Sequence, residues 1–97
     1  MKKLLERDIE NALGRYAKRL GCIYYKFTSP ARRSVPDRMV IGPRGEIIFI
    51  ELKAPGKKPT PLQLREIGIL QAQGCSAEWV DNIDDGKALI DSVCTLQ

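Results

Sequence analysis

A chain of 97 residues, 43% of them hydrophobic, is a single domain (residues 1–97) with one core and no room for a second. It has no histidine, and its three cysteines (Cys22, Cys75, Cys94) form no CxxC pair, which excludes zinc sites and histidine-based acid/base or nucleophilic catalysis. The thiols read as small buried residues of a reduced compartment, and with a net charge of +4 and no leader or long apolar run the chain reads as soluble and intracellular.

The elements follow in chain order. Residues 3–20 carry Leu5, Ile9, Ala12, Leu13, Tyr16 and Leu20 at helical spacing, with Gly21 as the stop. Cys22 to Phe27 is β-branched and aromatic and predicts a strand. Residues 28–36 form a loop with two prolines and two arginines, and Asp37 to Ile41 is a second strand. Gly42-Pro43-Arg44-Gly45 is a turn by composition, and Glu46 to Lys53 is the third and most apolar strand, pairing with the second as an antiparallel hairpin. A basic loop spans 54–60. Thr60-Pro61-Leu62-Gln63 then opens a helix, with Thr as cap, Pro in the first turn and Gln at the third position, running to about Gln73 before Gly74. Ser76 to Val80 is a fourth strand, and Asp84 to Val93 a last helix. The order α-β-β-β-α-β-α predicts an α/β fold with a mixed central sheet flanked by helices.

Strand alternation puts Glu51 and Lys53 on one face, with Ile47 and Phe49, while Ile48, Ile50 and Leu52 take the other. Charges at the end of an apolar face call for a partner or a cation. The hairpin brings Asp37, at the entry of one strand, beside Glu51, at the end of the next, although they are fourteen positions apart. Two adjacent carboxylates repel unless a cation or a proton lies between them. They suit a hard divalent ion, Mg²⁺ or Mn²⁺, with the main-chain carbonyl of Leu52 as a further oxygen ligand. Lys53 is placed to hold water or to steady charge on a phosphate. On the first helix, Glu6, Glu10, Leu13, Ala17 and Leu20 share a face, and Glu10, the deeper acid, is the candidate for a metal contact, direct or through water. Solvated pairing with neighbouring bases is the alternative for both acids. Gln63 has two compatible readings: capping-box partner of Thr60, or a group pointing at the site.

Charge surrounds this constellation. Residues 26–65 hold nine Lys/Arg against three acids, Asp37, Glu46 and Glu51, while the rest of the chain has seven bases and nine acids. A polyanionic partner explains that distribution. Lys26, Arg32, Arg33, Arg38, Lys57 and Lys58 are the candidate phosphate contacts.

Together these residues resemble the PD-(D/E)xK nuclease superfamily and, within it, the VRR-NUC family. The likeness runs through Glu6, Ile9 and Glu10, Gly21, Tyr25-Lys26, Arg33-Ser34-Val35-Pro36-Asp37-Arg38, Phe49-Ile50-Glu51-Leu52-Lys53, Pro61-Leu62-Gln63 and Gly74. It implies a restriction-endonuclease-like α-β-β-β-α-β core, here with a C-terminal helix. It also implies an Mg²⁺- or Mn²⁺-dependent, structure-specific DNA endonuclease of the stand-alone phage or bacterial type. Such a protein acts as a homodimer on branched DNA, such as four-way (Holliday) junctions or flaps, in the cytoplasm of a bacterial or phage-infected cell. By the same likeness Asp37 and Glu51 bind metal, Lys53 aids the attacking water, and Glu10 and Gln63 complete the catalytic set. One departure is Ser34, where the family usually has glycine. Two other functions compete: a branched-DNA-binding module that does not cut, and a sequence-specific restriction nuclease, for which the chain is short.

Overall fold

The computed structural model describes residues 3–94. Its elements are α1 (Glu6–Arg19), β1 (Ile23–Lys26), β2 (Arg38–Ile41), β3 (Ile47–Leu52), α2 (Pro61–Ala72), β4 (Ser76–Val80) and α3 (Ile83–Cys94). The predicted order holds throughout, and the boundaries shift by a few residues. Helix α1 starts at Glu6 rather than residue 3, because the Asp8 carboxylate accepts the Leu5 N–H at 2.8 Å and closes the first turn there.

The four strands form one mixed sheet in the order β1-β2-β3-β4. β1 and β3 each pair antiparallel with β2, and β3 pairs parallel with β4. The β3–α2–β4 passage is therefore the crossover that parallel pairing requires. The hairpin turn closes with Gly42 N–H donating to the Glu46 carbonyl at 2.8 Å. A side chain at Gly42 would overlap the main-chain carbonyl of Val93, so only glycine lets this turn lie against α3.

Alternation divides the sheet into two unlike faces. Val40, Ile48, Ile50, Leu52 and Val80 point to one side and make the core with Ile9, Leu13 and Ala17 of α1 and Ile90 and Val93 of α3. At the other side α2 packs against β4, where Ile67 and Ala77 are buried. The β1–β2 part of that second face is left bare: Ile23 and Tyr25 of β1 are 46% and 55% exposed, and neighbouring Ile47 of β3 is 42% exposed.

Two local features depart from the sequence reading. Cys22 and Cys94 are joined as a disulfide, with Cα atoms 6.0 Å apart across 72 residues, whereas Cys75 is a free thiol. The expectation of separate reduced thiols therefore fails for the first two, because the fold sets the entry of β1 against the end of α3. Ser34 has φ 63°, in the left-handed region, which explains why glycine suits this position. Left-handed geometry costs a side chain about 1–2 kcal/mol, and glycine's extra freedom in the unfolded chain offsets part of this. Ser34→Gly should gain up to about 1 kcal/mol and raise the melting temperature by a few degrees. A lower melting temperature in the variant would contradict this account of the loop. Among the described residues, no helix is long and apolar enough to cross a membrane.

Candidate active site

The site forms where β2 enters the sheet and β3 leaves it. Pro36 is buried, and the Asp37 carbonyl accepts the Phe27 N–H at 2.8 Å, which fixes the backbone at the strand entry. The Asp37 carboxylate reaches across and accepts the Leu52 N–H at 3.1 Å. β2 and β3 pair Arg38 with Ile50, so one further step of the same register sets Asp37 opposite Glu51. On the far side of β3, the Lys53 N–H donates to the Val80 carbonyl at 2.9 Å, which extends the ladder past Glu51.

Glu51 is 2% exposed. Its Oε2 accepts a hydrogen bond from Gln63 Nε2 at 3.0 Å and lies 3.5 Å from the Lys53 ammonium nitrogen. Its Oε1 is buried without a hydrogen-bond partner. The Asp37 carboxylate stands close enough for its charge to act on Glu51. Burial is the largest cause that pushes the Glu51 carboxyl up to about 7, the Asp37 charge adds to it, and Lys53 opposes both. An ionised carboxylate here is short of positive charge, and the orphaned oxygen is short of a ligand.

A hard divalent cation meets both needs. Among the described residues no group of three or more Asp, Glu, His or Cys side chains forms a metal cage. Two carboxylates with main-chain and water oxygens are nevertheless the usual way Mg²⁺ is held. The Asp37–Glu51 pair therefore fits such an ion, which these two carboxylates would hold.

Gln63 fulfils both of its readings with one amide. Its Oε1 accepts the Thr60 N–H at 2.9 Å, and its own N–H donates to Thr60 Oγ1 at 3.2 Å, completing the capping box. With Oε1 so engaged, Nε2 must face Glu51. Gln63→Ala removes a cap bond worth about 1 kcal/mol and frees the buried carboxylate to turn. Loss of such a positioning bond should lower cleavage by about 10–100-fold. Gln63→Glu keeps the cap and sets a third carboxylate against Glu51. Without a cation at neutral pH it should restore neither rate nor stability, because like charges then meet at a buried carboxylate; equal rates for wild type and Gln63→Ala would remove the amide from the site.

The two acids of α1 have different surroundings. Glu10 is the deeper of the two, but its carboxylate forms an ion pair with Arg38, and its main-chain carbonyl accepts the Tyr24 hydroxyl at 3.2 Å. Its expected metal contact thus competes with a guanidinium already in place. Glu6, one turn earlier, feels Asp37, Lys53, Glu10 and Arg38, and its carboxyl is raised, by burial first and by Asp37 next. Arg38 is corrected outright. It is 6% exposed, with its guanidinium 5.6 Å from the Tyr24 ring, on the core side of the sheet. It braces α1 against β2 and is not free to meet a phosphate. Lys26, Arg32, Arg33, Lys57 and Lys58 are exposed around the site, and Arg32 is tied to Glu66 of α2 at 2.8 Å.

No family profile matches the chain. A phage protein does: "Putative nuclease p44" of Acyrthosiphon pisum secondary endosymbiont phage 1 is 50% identical over 84 residues, covering 87% of this chain and 90% of its own length. A solved structure described as a VRR_NUC domain superposes with a TM-score of 0.80 at 31% identity, covering 89% of this chain and 94% of its own. A second, described as a VRR_NUC domain protein, gives a TM-score of 0.73 at 22% identity over 95% of this chain and 89% of its own, a likeness of fold. With a phage nuclease relative at 50% identity and a solved VRR_NUC domain at 31%, each matched over most of its length, the chain belongs to the VRR-NUC family of nucleases.

Proposed function

We propose that this chain is a divalent-cation-dependent DNA endonuclease that uses Mg²⁺ or Mn²⁺ and cuts branched DNA, four-way junctions or flaps, as a homodimer. The observation that carries the reading is the Glu51 carboxylate, buried beside Asp37 and Lys53 with one oxygen unpartnered. A side chain in that state is costly to keep for stability alone and useful for chemistry. The nuclease name of the phage relative supports the same activity.

When bound by Asp37, Glu51 and the Leu52 carbonyl, the cation supplies Lewis acidity at the scissile phosphate and lowers the pKa of water. The chain's own groups do the rest. Lys53 offers N–H donors to the attacking water and sets a positive charge where the phosphate gains negative charge. Gln63 holds Glu51 in one orientation, and the Leu52 N–H holds Asp37. Glu6 feels the charges of Asp37 and Lys53 from α1. Lys26, Arg32, Arg33, Lys57 and Lys58 supply backbone contacts without sequence information. The bare sheet face around Ile23, Tyr25 and Ile47 is the surface that a second copy would cover.

A panel of duplex, single-stranded, flap and four-way-junction DNAs, incubated with Mg²⁺, Mn²⁺ or EDTA, tests the reading. Wild type should cut the branched DNAs with either cation and not in EDTA, and Asp37→Ala should cut none. Cleavage that persists in EDTA or in Asp37→Ala would overturn the metal-dependent mechanism. Equal cutting of every DNA would overturn the branched preference. A solution mass equal to one chain at assay concentration would overturn the dimer.

A further inference from the structure

A cleft of about 240 Å³ opens between the 27–37 loop and α2, lined by Arg32, Arg33, Leu62, Arg65, Glu66 and Ile69. We propose that this cleft seats an unpaired nucleotide of the DNA strand next to the cleavage site; the inference rests on the nuclease reading above and names the feature of the substrate that the protein grips.

Helix geometry builds one wall. Leu62, Arg65, Glu66 and Ile69 follow an i, i+3, i+4, i+7 spacing and so share one stripe of α2. The neighbouring stripe begins at Gln63, whose amide reaches Glu51. The cleft thus starts one residue from the active-site contact. The loop supplies the other wall, and the 2.8 Å Arg32–Glu66 ion pair pins it to the helix. With Glu66 spent on Arg32, two guanidiniums, Arg33 and Arg65, remain without an ion-pair partner among the described residues.

The mixed lining selects the ligand. Guanidiniums recognise phosphate through forked N–H pairs and lie flat against bases. Yet Leu62 is 57% exposed in the same cleft, and Ile69 is half-buried beside it. A duplex backbone offers charge but no apolar surface to cover them. A nucleotide splayed out of its helix offers both: a phosphate for Arg33 and Arg65, and a base to lie on Leu62 and Ile69. The volume is below the roughly 300–1,000 Å³ of drug-sized ligand sites and suits one base with its phosphate at the mouth.

Fluorescence anisotropy in EDTA, where no cutting occurs, tests this on two labelled DNAs: a blunt duplex and the same duplex with a short single-stranded arm. Wild type should prefer the armed DNA. Arg65→Ala should weaken armed-DNA binding about 5–10-fold and reduce the salt dependence by about one phosphate contact. Leu62→Ala should weaken armed-DNA binding about fivefold and leave the blunt duplex unchanged. Both residues are exposed, so the variants should fold, and circular dichroism checks that they do. Absence of an arm preference in wild type, or equal effects of Leu62→Ala on both DNAs, would overturn the proposal. Cleavage of a flap DNA by wild type with Mn²⁺ is scored separately. Failure there sinks the nuclease reading, whereas cleavage without an arm-specific effect of Leu62→Ala on binding sinks the nucleotide site alone.

Discussion

Replacing Lys53 with alanine should lower cleavage of branched DNA by about 10²–10³-fold while DNA affinity changes little. The expectation follows from where the ammonium sits. It is one residue past the end of β3, largely buried, and 3.5 Å from Glu51 Oε2. Donors held at a developing charge in a water-poor site are worth about 3–4 kcal/mol when removed singly. Phosphate affinity, by contrast, is spread over several exposed bases of the surrounding loops, so one largely buried lysine contributes little of it. A second signature separates chemistry from packing. Lys53 is the group that pulls the Glu51 carboxyl down against burial and Asp37, so its loss should move the rising limb of the pH–rate profile to higher pH. Full activity of Lys53→Ala, or a loss of binding as large as the loss of rate, would contradict this role.

Glu51→Gln should be inactive and, at neutral pH without divalent ions, more stable than wild type. The Glu51 carboxyl is raised from 4.5 to about 7 in the folded protein. Between these values the folded chain keeps a proton that the unfolded chain has released. Stability from this group is therefore complete below about pH 4.5 and is lost as pH rises through about 7. The loss is about 2 kcal/mol, somewhat less than the full shift allows. Glutamine cannot ionise, so the variant escapes it. In EDTA at pH 8 its melting temperature should exceed wild type's by roughly 10 °C, and the difference should shrink as pH falls and vanish below about pH 4.5. A variant less stable than wild type at pH 8 would show that the ionised carboxylate is well accommodated without a cation.

Much of this was legible in the sequence because periodicity and turn chemistry act locally. The Gly42–Gly45 turn fixes the hairpin register, and that register brings Asp37 to Glu51. Thr60-Pro61-Leu62-Gln63 starts α2 where predicted, and the amide of Gln63 serves both of its readings. The misses have physical causes. Arg38 was grouped with the surface bases because it lies in a basic window, although alternation after Asp37 already turned it toward the core with Val40. The ion pair between Arg38 and Glu10 joins β2 to α1, and no local rule states that. The Cys22–Cys94 link depends on the end of α3 returning to β1, a contact across 72 residues that spacing does not encode. Ser34 shows the reverse case: its departure from glycine was visible in the sequence, but its left-handed backbone was not.

Calorimetric titration of Mn²⁺ into the DNA-free protein is the most direct test of the claim that Asp37 and Glu51 together hold a divalent cation. Wild type should give a saturable binding heat at pH 8, and Asp37→Asn and Glu51→Gln should each abolish it while remaining folded. Identical titrations for all three proteins, or no binding by wild type, would contradict the account.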